Sequence, residues 1–159
     1  MYKINISSRT LHFLRPAGTS RGIYTTRKSY YVTLSDTNQP DVVGIGECAT
    51  LPDLSCDAMT DEEYEQKLRS FCDDFCHTGI IDIAAMRPYP SMLFGLETAK
   101  AQLDAKGSIN FFNTAFGRGE EGITINGLVW MGTFDEMYQR LEAKLKAGFR
   151  CVKLKIGAI

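Results

Sequence analysis

The sequence predicts an α+β fold: a three-stranded antiparallel meander with helices, followed by a separate βαβ unit. Three observations carry this prediction. Up to Pro52 the chain holds three β-rich runs parted by turn chemistry. Two capping boxes, Thr60-Asp61-Glu62-Glu63 and Thr133-Phe134-Asp135-Glu136, each open a segment of helical apolar spacing. A glycine-rich stretch, Gly117-Arg118-Gly119-Glu120-Glu121-Gly122, parts the two architectures.

Residues 2–14 alternate polar and apolar side chains and read as a strand. Residues 15–27 carry Pro16, Gly18, Gly22 and small polar residues, which predicts a loop. Lys28 to Ser35 is rich in Tyr, Val and Thr and reads as a second strand. The turn Asp36-Thr37-Asn38-Gln39-Pro40-Asp41 leads to a short third strand, Val42 to Glu47. The Thr60 box predicts a helix to about Cys76, with Tyr64, Leu68, Phe71 and Phe75 on its apolar face. A second helix is predicted from about Ser91 to Lys106, ending at Gly107. Its core residues are read as Leu93, Phe94, Leu96 and Leu103, with Gly95, Ala99 and Ala101 allowing close packing. The linker places a boundary between residues 1–121 and residues 122–159. Beyond it, Ile123 to Met131 reads as a strand. A helix follows with Phe134, Met137, Leu141 and Leu145 on one face, ended by Gly148, and Phe149 to Ile156 reads as another strand. Strand, helix, strand at this spacing predicts two parallel strands joined by a right-handed crossover. Such a unit leaves both sheet edges open. It reads as the start of a truncated (β/α) barrel, a fold that takes about 250 residues.

Composition excludes several classes of function. The 159 residues carry a net charge of -1, and 44% are hydrophobic. No basic cluster is interleaved with aromatics, so nucleic acid is not an expected partner. No apolar run approaches the roughly 18–20 residues of a membrane span. The first residues lack the apolar core of a signal peptide, and a cytoplasmic location is expected. The cysteines Cys48, Cys56, Cys72, Cys76 and Cys151 include no Cys-x-x-Cys pair. Cys72, Cys76 and His77 lack a fourth metal ligand, so the thiols are read as reduced side chains packed as small hydrophobes.

The chemistry concentrates at Lys153 and Lys155. In a strand, alternation sends Val152, Leu154 and Ile156 to one face and Cys151, Lys153, Lys155 and Gly157 to the other. If the apolar face meets barrel helices, two ammonium groups face the barrel interior. That is costly unless an anion arrives. A lysine in such a setting can serve as a general base near neutral pH. Lys155 lies nearer the carboxyl end of the strand, where barrels place their chemistry, and takes the base role. The same alternation also occurs on the solvent side of an edge strand, where lysines deter aggregation.

The order of segments resembles the enolase superfamily, and within it the muconate-lactonising subgroup. That subgroup has a capping domain of three strands and helices, then a barrel, opened here by Thr124-Ile125-Asn126-Gly127. Lys153-Leu154-Lys155 matches its Lys-x-Lys motif at the end of the second barrel strand. Gly44-Ile45-Gly46-Glu47-Cys48-Ala49-Thr50-Leu51-Pro52 matches its Gly-x-Gly-Glu strand and Leu-Pro loop. Phe94 to Ala105 resembles its small-residue helix. Arg15-Pro16-Ala17-Gly18-Thr19-Ser20-Arg21-Gly22 resembles the mobile active-site loop of the o-succinylbenzoate synthase family. The resemblance implies a lyase of menaquinone biosynthesis. Mg²⁺ holds a small-molecule carboxylate substrate, Lys155 removes the adjacent proton and helps the hydroxyl depart, and Lys153 supports it electrostatically. It implies substrate contacts at Thr19, Ser20 and Arg21, and self-association as a homo-oligomer. The metal ligands and the opposing lysine are implied to lie on later barrel strands, with no ligand among these residues, so the chain alone is expected not to turn over.

The residues leave other readings open. Arg21 can meet a carboxylate, or belong to a solvated turn with Thr19 and Ser20. Glu47 is read first as a structural acid bonding backbone at the loop base and second as a site residue, and Trp130 as a core residue near a strand end that can also line a pocket floor. Dipeptide epimerases and N-acylamino acid racemases share the same motifs. A non-catalytic α+β binding module predicts that both lysines lie on an exposed edge.

Overall fold

The computed structural model describes residues 1–19, 21–51 and 54–156. Three strands, β1 (Tyr2–Thr19), β2 (Gly22–Asp36) and β3 (Gln39–Ala49), form an antiparallel sheet in the order β1-β2-β3. The meander is as the sequence predicts, but its first connection is not a loop. β1 and β2 run on as the arms of a hairpin, with Ala17 paired to Tyr24, Gly18 to Ile23 and Thr19 to Gly22. The register breaks between His12 and Ala17. Pro16 falls inside that break, where its missing N–H costs no ladder bond. The arms are largely exposed (Leu14 and Ile23 among them), so no buried face imposes apolar alternation on them. That is why their composition reads as a loop.

One face of the sheet is the core face. Tyr30, Val32 and Leu34 of β2 point into it with the period of two. On β3 the same face carries Gly44, Gly46 and Cys48, and against it lies the helix α3 (Pro90–Asp104). A Cβ on Gly44 would collide with the Ala99 carbonyl, and one on Gly46 with the Gly95 carbonyl. The Gly-x-Gly of this strand and the small residues of this helix are therefore two halves of one backbone-to-backbone contact. Gln102 completes it: its Oε1 accepts from the Ile45 amide at 2.8 Å, and its Nε2 donates to the Gly107 carbonyl at 3.1 Å. An otherwise open strand edge is thus partly satisfied by a side chain.

The helix α1 (Asp61–Thr78) opens with the Thr60–Glu63 capping box and closes on Gly79 at φ 70°. It buries Tyr64, Leu68, Cys72 and Phe75. Phe71 is only half-buried, against Tyr89. A one-turn helix, α2 (Ile83–Met86), leads into α3 and was not expected. On α3 the buried stripe is Met92, Gly95, Leu96, Ala99 and Leu103. Phe94, read as core, is 64% exposed, and Leu93 is half-buried. Met92, Leu93, Phe94 and Leu96 surround the helix with apolar groups, so sequence alone does not show which side faces the sheet.

Residues 105–126 contain neither helix nor strand. Then come β4 (Gly127–Val129), α4 (Phe134–Lys146) and β5 (Val152–Leu154), with β4 and β5 parallel in the register 127–152, 128–153 and 129–154. Both strands are shorter than predicted, because pairing extends only where the two overlap. The second capping box is present on Thr133 and Glu136. No residue of α4 is buried: Phe134 and Leu145 are exposed, while Met137 and Leu141 are half-covered. Among the described residues no helix is long and apolar enough to cross a membrane.

Candidate active site

The carboxyl ends of β4 and β5 are held together by backbone. The Lys155 amide donates to the Val129 carbonyl at 3.0 Å, one bond beyond the assigned strands. This places Lys155 beside Trp130, and its Nζ lies 5.1 Å from the centroid of the Trp130 ring. Both side chains are half-buried. Lys153, two residues earlier on the same face, is exposed. The two lysines therefore differ in surroundings: one has an aromatic partner, the other faces solvent. Trp130, read as core or pocket floor, is in the structure the surface under Lys155.

The segment after β4 is fixed from the helix. Arg140 Nη1 donates to the Trp130 carbonyl at 3.0 Å and to the Met131 carbonyl at 2.9 Å. Arg140 also pairs with Glu136 at 3.6 Å. Hydrogen bonds from the Thr133 backbone and hydroxyl hold the Glu136 carboxyl below the usual carboxylate range, with Arg140 adding to them.

At the hairpin tip, the Thr19 hydroxyl accepts from the Arg21 amide at 3.2 Å and donates to the Gly22 carbonyl at 3.1 Å. Its side chain is thus used to shape the turn. Arg21 is exposed, and Ser20 lies outside the described residues. Glu47 is exposed and, among the described residues, makes no backbone bond, so the reading of it as a structural acid is not met.

Two features escaped the sequence reading. Arg27, assigned to a loop, is half-buried, and among the described residues its Nε has no acceptor. It lines a cavity of about 610 Å³ together with Glu47, Cys56 and Phe94. Asp57 is 3% exposed and accepts from both the amide (2.8 Å) and the hydroxyl (2.5 Å) of Ser91, whose hydroxyl also meets the Tyr64 phenol at 2.5 Å. Asp57 therefore caps α3 from 34 residues away. No local pattern signals a cap at that distance.

The cysteines are all free. Burial pushes the Cys48 and Cys72 thiols up to about 12, which suits packed thiols and not nucleophiles. Among the described residues no group of three or more His, Cys, Asp and Glu side chains is placed to hold a metal ion. Mg²⁺ therefore does not fit a site built from these residues alone.

No family model matches the chain. In sequence it is 35% identical, over an alignment of 178 residues, to the o-succinylbenzoate synthase of Desulfotalea psychrophila, covering 94% of this chain and 48% of that protein. The crystal structure of MenC from the same organism superposes with a TM-score of 0.63 at 27% identity, over 96% of this chain and 49% of that one. The chain matches the amino-terminal portion of an enolase-superfamily protein. The resemblance drawn from the ordered motifs is borne out, and so is the α+β capping fold with a parallel strand pair after it. The chain spans about half the length of the superfamily proteins it matches. An o-succinylbenzoate synthase from Thermosynechococcus elongatus with Mg in its active site gives a TM-score of 0.62 at 20% identity, over 99% of this chain and 43% of that one. An enolase family member from Agrobacterium tumefaciens, with homology to dipeptide epimerases, gives 0.70 at 17%, over 99% and 46%. These last two are likenesses of fold alone.

Proposed function

We propose that the chain is the amino-terminal portion of an o-succinylbenzoate synthase-like lyase of menaquinone biosynthesis, acting in the cytoplasm on a small-molecule carboxylate. The observation that carries this reading is the placement of Lys155 at the paired carboxyl ends of two parallel strands, in a chain 35% identical to such a synthase. Residues 1–121 form the capping domain and residues 122–159 open the barrel. Lys155 Nζ takes the proton next to the substrate carboxylate. The electron pair left behind forms the new double bond as the carbon–oxygen bond breaks, and the departing hydroxyl takes back the proton that Lys155 Nζ now carries and leaves as water. Lys153 adds positive charge on the same face. Thr19, Ser20 and Arg21 are the proposed substrate contacts, and Arg27, whose Nε has no acceptor among the described residues, offers a second cation for a carboxylate. Mg²⁺, as in the Thermosynechococcus structure, would supply Lewis-acid chemistry, with ligands from outside the described residues. The 159-residue chain alone is proposed to be inactive.

The test is an assay of the full-length protein with the synthase substrate, with and without Mg²⁺. Dehydration is expected only with the metal, and Lys155→Ala is expected to abolish it. Near-normal activity in that variant would refute the assignment of the base. Incubation with L-Ala-L-Glu in deuterated water tests the epimerase alternative, where deuterium uptake without water loss would replace the lyase reading.

A further inference from the structure

We propose that Trp130 is a positioning residue for Lys155, seating its ammonium on the face of the indole ring. The inference rests on reading Lys155 as the proton-accepting base. Two observations carry it.

The first is the ring contact itself, Nζ to centroid at 5.1 Å, between two half-buried side chains. A cation within about 6 Å of an indole centroid is attracted to the negative face of the ring. The second is that both backbones are anchored. Lys155 is tied to Val129 through its amide, and Trp130 and Met131 are tied to α4 through the two bonds from Arg140. The contact joins two strand ends that are fixed independently of it.

The choice of partner matters chemically. An indole ring has no basic site, so it fixes where Nζ sits without entering the proton transfer. Lys153 has no such ring, which separates the roles of two lysines that sequence treats alike.

Trp130 is the sole tryptophan of these 159 residues, so in this chain the emission reports on this contact, and in a longer protein the difference between each variant and wild type reports on it. In the protein, Lys155→Met is expected to shift the emission maximum and change its intensity, Lys155→Arg to keep the emission close to wild type, and Lys153→Met to leave it unchanged. Wild-type emission in Lys155→Met, or an equal shift in Lys153→Met, would overturn the proposal. In the synthase assay, Trp130→Leu is expected to lower kcat roughly ten-fold or more with KM little changed, as misplacement of a reacting group does. Trp130→Phe, which keeps a ring face, is expected to recover most of that loss. Equal losses in both variants, tracking a fall in melting temperature, would make Trp130 a space-filling residue and refute the positioning role. Should the wild-type protein lack synthase activity altogether, the reaction reading falls, while the emission series still decides the contact.

Discussion

The meander with its helices and the βαβ segment are built by different amounts of mutual burial. In the first, Tyr30, Val32, Leu34, Cys48, Tyr64, Leu68, Phe75, Met92 and Leu96 close into one buried cluster between the sheet and α1 and α3. In the second, within these 159 residues, Gly127 and Val129 are buried, but Phe134, Leu145, Leu154 and Ile156 stand in solvent and no residue of α4 is buried. Both segments use the same local devices: a Thr–Glu capping box, acidic residues in the first turn of the helix and a glycine after its end. The difference lies in tertiary cover. Helix signals of equal quality do not make segments of equal stability, because most helical stability comes from packing of the apolar face.

This comparison can be broken by mutation. The largest expected effect is at the glycine contact. Gly46→Ala drives a Cβ into the Gly95 carbonyl, where neither backbone can yield, and should cost about 3 kcal/mol or more in chemical denaturation. Leu68→Ala on α1 removes a fully buried side chain and should cost about 2–5 kcal/mol in the same experiment. Thr60→Ala removes the cap of the packed helix and should cost about 1 kcal/mol. On α4 of the 159-residue chain, Leu145→Ala alters a side chain that is 56% exposed and should stay within about 0.5 kcal/mol. A loss at Leu145 as large as that at Leu68 would mean that another surface covers α4 in solution. Hydrogen exchange of the 159-residue chain sharpens the same point: amides of α4 should exchange well before those of α1.

The smallest effect is that of pH, and it should be shared. Hydrogen bonds from the Thr60 side chain and backbone hold the Glu63 carboxyl below its ordinary value of 4.5, as those from Thr133 do for Glu136. A depressed carboxyl contributes stability above its unfolded value, and that contribution is lost as pH falls through the folded one. Both helices should therefore weaken a little below about pH 4.5, read as helical circular dichroism. Glu63→Gln should flatten that response for α1 and leave it for α4.

Much of the fold was legible because its signals are local. Both capping boxes act across three residues, and the meander and the parallel pair follow from runs and spacing. The hairpin arms were missed because their pairing rests on backbone ladders, with little burial to pattern the side chains. Phe94 was misplaced because α3 is apolar on several sides, and only the position of β3 selects the stripe that faces it. The site divides in the same way. Lys153 and Lys155, the proposed site residues, were picked out by alternation and motif. Arg27 was not, because a buried Nε without an acceptor among the described residues leaves no trace in sequence.

By itself, then, the sequence determined where the three longer helices begin, which strands exist and in what order, which lysines the proposed chemistry rests on, and which superfamily the chain resembles. All of these are written in spacings of a few residues. Only the tertiary structure decided that the Gly44–Gly46 strand exists to admit the backbone of α3, that Asp57 caps a helix far along the chain, and that Lys155 but not Lys153 rests on Trp130. Each of those is a contact between residues that chain order keeps apart. Its energy depends on how two elements are brought together, which no local pattern encodes.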